Sequence, residues 1–191
     1  MRVKICGITR PEDATFAEQE GADAIGVVVC SEGSKRTVPL PRAKEIFSAV
    51  GPFTTTVAVT HTQSEADLRA ILALAPDAIQ IFHPFLLSPD AGVRVIRAVG
   101  SGDPLPSDCD AVIIDESHGG GVAYDPAAAR SAVQRSKVPV ILAGGLNTEN
   151  VGMAIRQVRP YAVDVATGVE VSPGIKDPLK VRAFIAACKR Y

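Results

Sequence analysis

Eight short, β-branched runs alternate with stretches whose apolar residues recur at helical spacing, a pattern that predicts an α/β fold with a parallel sheet. Eight βα units predict closure of that sheet into a (β/α)8 TIM barrel. A third observation agrees: several runs lack the polar alternation of a half-exposed strand, as expected when helices cover one face and a barrel interior the other. An open doubly wound sheet is the alternative, because a count of strands does not prove closure.

In chain order, the runs RVKIC, AIGVVVC and TTTVAVT are followed by the helical patterns PEDATFAEQEG, LPRAKEIFSAV and SEADLRAILALA. The fourth and fifth runs, AIQIF and VRVIRAV, are followed only by PFLLSPDAG and the proline-rich SGDPLPSDC, so helices four and five are expected to be short or missing. The last three runs, AVIID, PVILA and YAVDVAT, are followed by DPAAARSAVQRS, NTENVGMAIRQV and KDPLKVRAFIAACKR. No linker or low-complexity stretch interrupts the alternation, and residues 1–191 are expected to form one domain.

Apolar residues are 47% of the chain and charged ones 21%, a globular balance that argues against disorder. The formal charge is −1 and the basic residues are scattered, so neither nucleic acid nor an anionic membrane is an expected partner. An anionic ligand would have to be held locally. Cys6, Cys30, Cys109 and Cys188 form no CxxC pair, which suggests reduced thiols in a cytoplasmic protein rather than a disulfide framework or zinc knuckle. The longest apolar run falls well short of the roughly 20 residues that span a bilayer, and no signal peptide is evident.

Barrel chemistry comes from the C-terminal ends of strands. Those positions carry Cys6, Arg36, Phe82 with His83, Asp115, the AGGLN turn and the ATG turn. AGGLNTEN holds two glycines and offers Asn147 as a helix N-cap, while DVATGVE reaches Gly168, so backbone N–H groups could converge on one phosphate. Glycines that merely permit tight turns are the other reading.

The stretches KICGIT, EDA, GADAIGVVV, SKR, AGGLNTENV and VDVATGVEVSPGIKD together resemble the phosphoribosylanthranilate isomerase family of tryptophan biosynthesis along nearly the whole chain. The resemblance implies an Amadori rearrangement of a phosphorylated aminosugar, with no cofactor or metal, in a monomer or homodimer. It implies Cys6 as general base, Asp115 as general acid and Arg36 as the group that holds the anthranilate carboxylate. It also implies that the backbone amides of Gly145, Thr167 and Gly168 hold the phosphate. Only a thiolate accepts a proton, so the Cys6 thiol should be lowered by its surroundings. Asp115 must keep its proton, and Asp164 is a carboxylate that could help it do so.

Three departures from the family pattern touch the aromatic side of the site. Phe82 and His83 stand where the family has histidine and glycine, and Pro84 follows. The third strand ends AVTHTQS instead of with a phenylalanine and an asparagine, and His118 and Gly120 lie in a shortened loop after the sixth. His61, His83 and His118 fall on three loops with no i, i+4 pair, so a zinc site is not expected, although one of them could hydrogen-bond substrate. Two other functions stay open: an isomerase of another aminoaldose phosphate, and a non-catalytic phosphate-binding barrel. The pairing of Cys6 with Asp115 speaks against the second, since a binder needs neither base nor acid.

Overall fold

The structure, a computed structural model, describes residues 1–88, 91–100, 102–115 and 124–191. Eight strands form the barrel: β1 (Arg2–Ile5), β2 (Ala24–Val28), β3 (Thr55–Thr60), β4 (Ala78–Ile81), β5 (Arg94–Val99), β6 (Ala111–Ile114), β7 (Val140–Leu142) and β8 (Ala162–Val165). Each pairs in parallel with the next, and β8 returns to β1 in a register running from Arg2↔Ala162 to Ile5↔Val165. That last pairing closes the barrel and removes the open-sheet alternative. Each of the eight apolar runs supplies one strand.

Among the described residues six α-helices pack outside: α1 (Pro11–Gln19), α2 (Leu40–Ser48), α3 (Glu65–Leu72), α4 (Pro126–Arg135), α5 (Val151–Val158) and α6 (Pro178–Lys189). They follow β1, β2, β3, β6, β7 and β8. Among the described residues no helix follows β4 or β5, as the short, proline-bearing connections there predict. Arg97 of β5 ties down the segment after β4 instead, donating to the carbonyls of His83 at 3.0 Å and Phe85 at 2.6 Å.

Helix starts follow local chemistry. The Asp125 and Asp177 carboxylates each accept two backbone N–H groups at the starts of α4 and α6, which both begin with proline. Asn147 is not the N-cap of α5. Its side chain accepts from the N–H groups of Glu149 and Asn150 in the turn that leads into the helix, and Asn150 takes the cap position. A short Asx-type side chain satisfies the nearest N–H groups, and here those belong to the preceding turn.

Two apolar clusters divide the core. Val28, Val57, Val59, Ile96, Ile113 and Ile141 fill the barrel interior, while Ile5, Ala58, Ile79 and Ile114 face outward onto helical residues such as Ala14, Ile71, Ala129 and Phe184. Between β8 and α6 a small antiparallel hairpin, β9 (Glu170–Ser172) with β10 (Ile175–Lys176), folds over the C-terminal end of the barrel. It delivers two buried charges, Glu170 and Lys176, beside the strand ends.

Candidate active site

The C-terminal strand ends surround a chamber of about 480 Å³ whose lining includes Cys6, Arg36, His61, Gln80, Phe82 and Asp115. A narrow cavity of about 40 Å³, bounded by Gly144, Gly145, Leu146, Thr167 and Gly168, adjoins it, and Asp115, Asp164 and Ala166 line both. A larger hollow of about 820 Å³ opens at the other end of the barrel by Phe53, Asp77, Arg94 and Asp110, and none of the candidate residues lines it.

Cys6 extends β1 by one residue, its N–H bonded to the Val165 carbonyl of β8 at 2.8 Å. The residue is 7% exposed. The Lys176 ammonium donates to the Cys6 carbonyl at 2.5 Å, to the Ala166 carbonyl at 3.3 Å and to the Glu170 carboxylate at 2.9 Å, fastening the tips of β1 and β8 together. Burial pushes the Cys6 thiol above its ordinary pKa, opposed by Lys4 and Lys176 and reinforced by Asp164. The expectation of a lowered thiol is therefore reversed: loss of hydration at a buried strand tip outweighs the nearby positive charges.

Asp115 follows β6 directly and is 7% exposed. The neighbouring carboxylate that the sequence suggested is present: Asp164 of β8 is raised by burial, against the pull of Lys4, and the charge of Asp115 raises it further. Asp164 also accepts from the Lys4 ammonium at 2.8 Å inside the barrel.

Arg36 sits in the loop between β2 and α2, and its Nε and Nη2 donate to the two oxygens of Glu170 at 2.8 and 2.7 Å. Nη2 also donates to Thr167 Oγ1 at 3.2 Å. This two-point grip fixes the plane of the guanidinium, which a single contact would leave free to turn. Burial alone would raise the Glu170 carboxyl, but Arg36 and Lys176 hold it below its ordinary range. The Arg36 chain lies across Gly7, where a Cβ would come within 2.4 Å of its Cδ. Lys35 beside it is exposed at the rim.

On the cavity side, Gly168 meets the turn after β7 so closely that a Cβ would stand 2.0 Å from the Leu146 carbonyl oxygen. The two glycine turns are thus packed against each other. His61 and Phe82 stack at the tips of β3 and β4, with centroids 4.1 Å apart and planes at 22°, and form the aromatic wall of the chamber. His83 packs edge-on against Phe85 instead. His118, with residues 116–123, lies outside the described residues.

The family model for N-(5'phosphoribosyl)anthranilate (PRA) isomerase matches residues 3–187. The chain belongs to this family. It is similar to N-(5'-phosphoribosyl)anthranilate isomerase of Methanoregula boonei, 62% identical over 189 residues that cover 99% of this chain and 97% of that protein. In shape it is similar to the phosphoribosyl anthranilate isomerase of Thermus thermophilus, with TM-score 0.86 at 36% identity and coverage of 100% of this chain and 99% of that one. It is also similar to a phosphoribosyl anthranilate isomerase solved in complex with reduced 1-(o-carboxyphenylamino)-1-deoxyribulose 5-phosphate, with TM-score 0.81 at 32% identity and full coverage of both chains.

Within this family frame, motif reading located the strand-tip residues of this chain but missed Lys4, Gln80, Glu170 and Lys176, all buried. A signal for the first two was available. A lysine in RVKIC and a glutamine in AIQIF interrupt strands that are otherwise apolar, and a polar group buried there needs a partner. Among the described residues no group of three or more His, Cys, Asp or Glu side chains is arranged to hold a metal ion. Nor among them is any helix long and apolar enough to cross a membrane.

Proposed function

We propose that this chain catalyses the Amadori rearrangement of N-(5′-phosphoribosyl)anthranilate to 1-(2-carboxyphenylamino)-1-deoxyribulose 5-phosphate, with Asp115 as general acid and Cys6 as general base. Asp115 gives its proton to the ring oxygen as the C1′–O bond breaks and the nitrogen lone pair forms a C1′–N double bond. The Cys6 thiolate takes the proton from C2′, and the electrons return to nitrogen to give the enolamine. The enolamine gains a proton at C1′ and loses one from the C2′ hydroxyl to become the ketose. The observation that carries this reading is one chamber lined by both Cys6 and Asp115 and adjoined by a glycine-walled cavity that shares Asp115 with it, in a chain of this family.

The same reading gives Arg36, its plane held by Glu170, the anthranilate carboxylate, and gives the His61–Phe82 stack the aromatic ring. Phosphoribosylanthranilate loses its fluorescence as it is isomerised. Purified protein is expected to accelerate that loss when the substrate is generated in situ. No acceleration at high protein concentration, with phosphate binding intact, would reassign the chain to another aminoaldose phosphate.

The glycine turns supply the phosphate site in this reading, through the amides of Gly145, Thr167 and Gly168. Inorganic phosphate is accordingly expected to raise Tm through linkage. Gly168→Ala would press a methyl group onto backbone that cannot rotate away, an overpacking cost of about 1–3 kcal/mol. Its Tm is expected to fall by roughly 2–4 °C for each of those kcal/mol, and the phosphate-dependent rise should shrink or vanish. A Gly168→Ala protein with an undiminished phosphate response in thermal melts would place the anion elsewhere.

A further inference from the structure

We propose that Lys4 is a positioning residue of the reaction, its ammonium favouring the ionised form of Cys6, and that Asp164 acts on the same sulfur in the opposite sense. The inference rests on Cys6 being the base.

Lys4 and Cys6 are two residues apart on one strand, so both side chains project into the barrel. Lys4 Nζ donates to Asp164 Oδ1 at 2.8 Å and to Gln80 Oε1 at 3.1 Å. Those two bonds follow from topology. Asp164 is the register partner of Lys4 across the β1–β8 ladder, and Gln80 reaches it from β4 on the far side. The lysine is 3% exposed and therefore unable to extend to solvent.

An ammonium has three N–H donors. Asp164 and Gln80 take two, and the Cys6 sulfur borders the same small space beside Gly26 as the ammonium nitrogen. Gly26 of β2 makes that approach possible. A Cβ built there would stand 2.8 Å from Cys6 Sγ and 3.1 Å from Lys4 Nζ, so sulfur and nitrogen share the space that a side chain on β2 would occupy.

Packing alone would not call for a charge at this position. A methionine fills a comparable volume without the desolvation that a buried ammonium and carboxylate both incur. The pair instead does two things that a neutral filler cannot: it lowers the cost of forming a thiolate where burial opposes one, and it holds that effect in check through Asp164. Among the described residues, the other charged groups acting on Cys6 are Lys176 from β10 and Arg36 from the loop after β2, and Asp115, directly after β6, lines the same chamber with Glu32 and Lys35. Lys4 and Asp164 are the two that touch one another inside the barrel, and their removal should move the sulfur in opposite directions.

The test is the pH dependence of iodoacetamide alkylation at Cys6, followed by mass spectrometry of the Cys6 peptide so that the other three thiols do not contribute. In Lys4→Met the midpoint is expected to move up by at least about one pH unit, lowering the alkylation rate near pH 8 about tenfold. kcat should fall about tenfold with KM little changed, and part of the loss should return at higher pH. In Asp164→Asn the alkylation midpoint should move down. An unmoved midpoint in folded Lys4→Met overturns the inference. If Lys4→Met does not fold, Asp164→Asn decides alone, and a midpoint that stays or rises overturns it. Normal turnover by Cys6→Ser would overturn the base assignment instead, a distinct result.

Discussion

Cys6→Ser is expected to lower kcat by at least about a hundredfold, the scale of losing a positioned general base. The exchange of sulfur for oxygen is nearly isosteric at a site bounded by Val28, Val59 and Ala166, so Tm should change little. A hydroxyl, however, does not ionise near neutral pH, and its oxygen is a poor acceptor for a carbon-bound proton. The wild-type protein carries a companion signature. Burial holds the thiol above its ordinary pKa while the thiolate is the active form, so kcat/KM should climb as pH rises towards the Cys6 ionisation. Serine removes that limb. Near-wild-type turnover in Cys6→Ser, measured by the fluorescence decay, would take Cys6 out of the mechanism.

Asp115→Asn is expected to be comparably damaging, again about a hundredfold or more in kcat. The amide preserves shape and can still donate an N–H hydrogen bond, but it cannot transfer a proton to the ring oxygen as the ring opens. Two consequences separate loss of the acid from a general disturbance. Phosphate should still raise Tm, because the glycine turns are untouched. Thermal stability without phosphate should stay close to wild type, because the amide keeps the shape of the carboxyl. Turnover close to wild type would pass the acid role to another group, and Asp164, which lines the same cavity, would be the first to test.

The departures from the family pattern read differently once the chamber is built. Phe82 and His61 come from separate breaks in the pattern, at the tips of β4 and β3, and they meet as a stack. A flat aromatic wall therefore survives the loss of the usual residues. His83, adjacent in sequence to Phe82, belongs to the strap fastened by Arg97 and lies against Phe85. Neighbouring positions at a strand end point in opposite directions, so two consecutive replacements need not serve the same site.

Local patterning carried the strands, the six helices and the weak fourth and fifth units, because hydrophobic periodicity and turn residues act over a few positions. It also carried Cys6, Arg36 and Asp115 as candidates, since the C-terminal end of a barrel strand is recognisable once the strand is. Closure was a different matter. It depends on β8 meeting β1, a pairing between the two ends of the chain that no local pattern encodes. The buried charge network is of the same kind. Lys4 reaches Gln80 across 76 positions and Asp164 across 160, Arg36 reaches Glu170 across 134, and Lys176 reaches Cys6 across 170. Those contacts act on the sulfur alongside its burial and fix the orientation of the guanidinium. Desolvation and Coulomb interaction depend on distance in space, and only the folded barrel sets that distance.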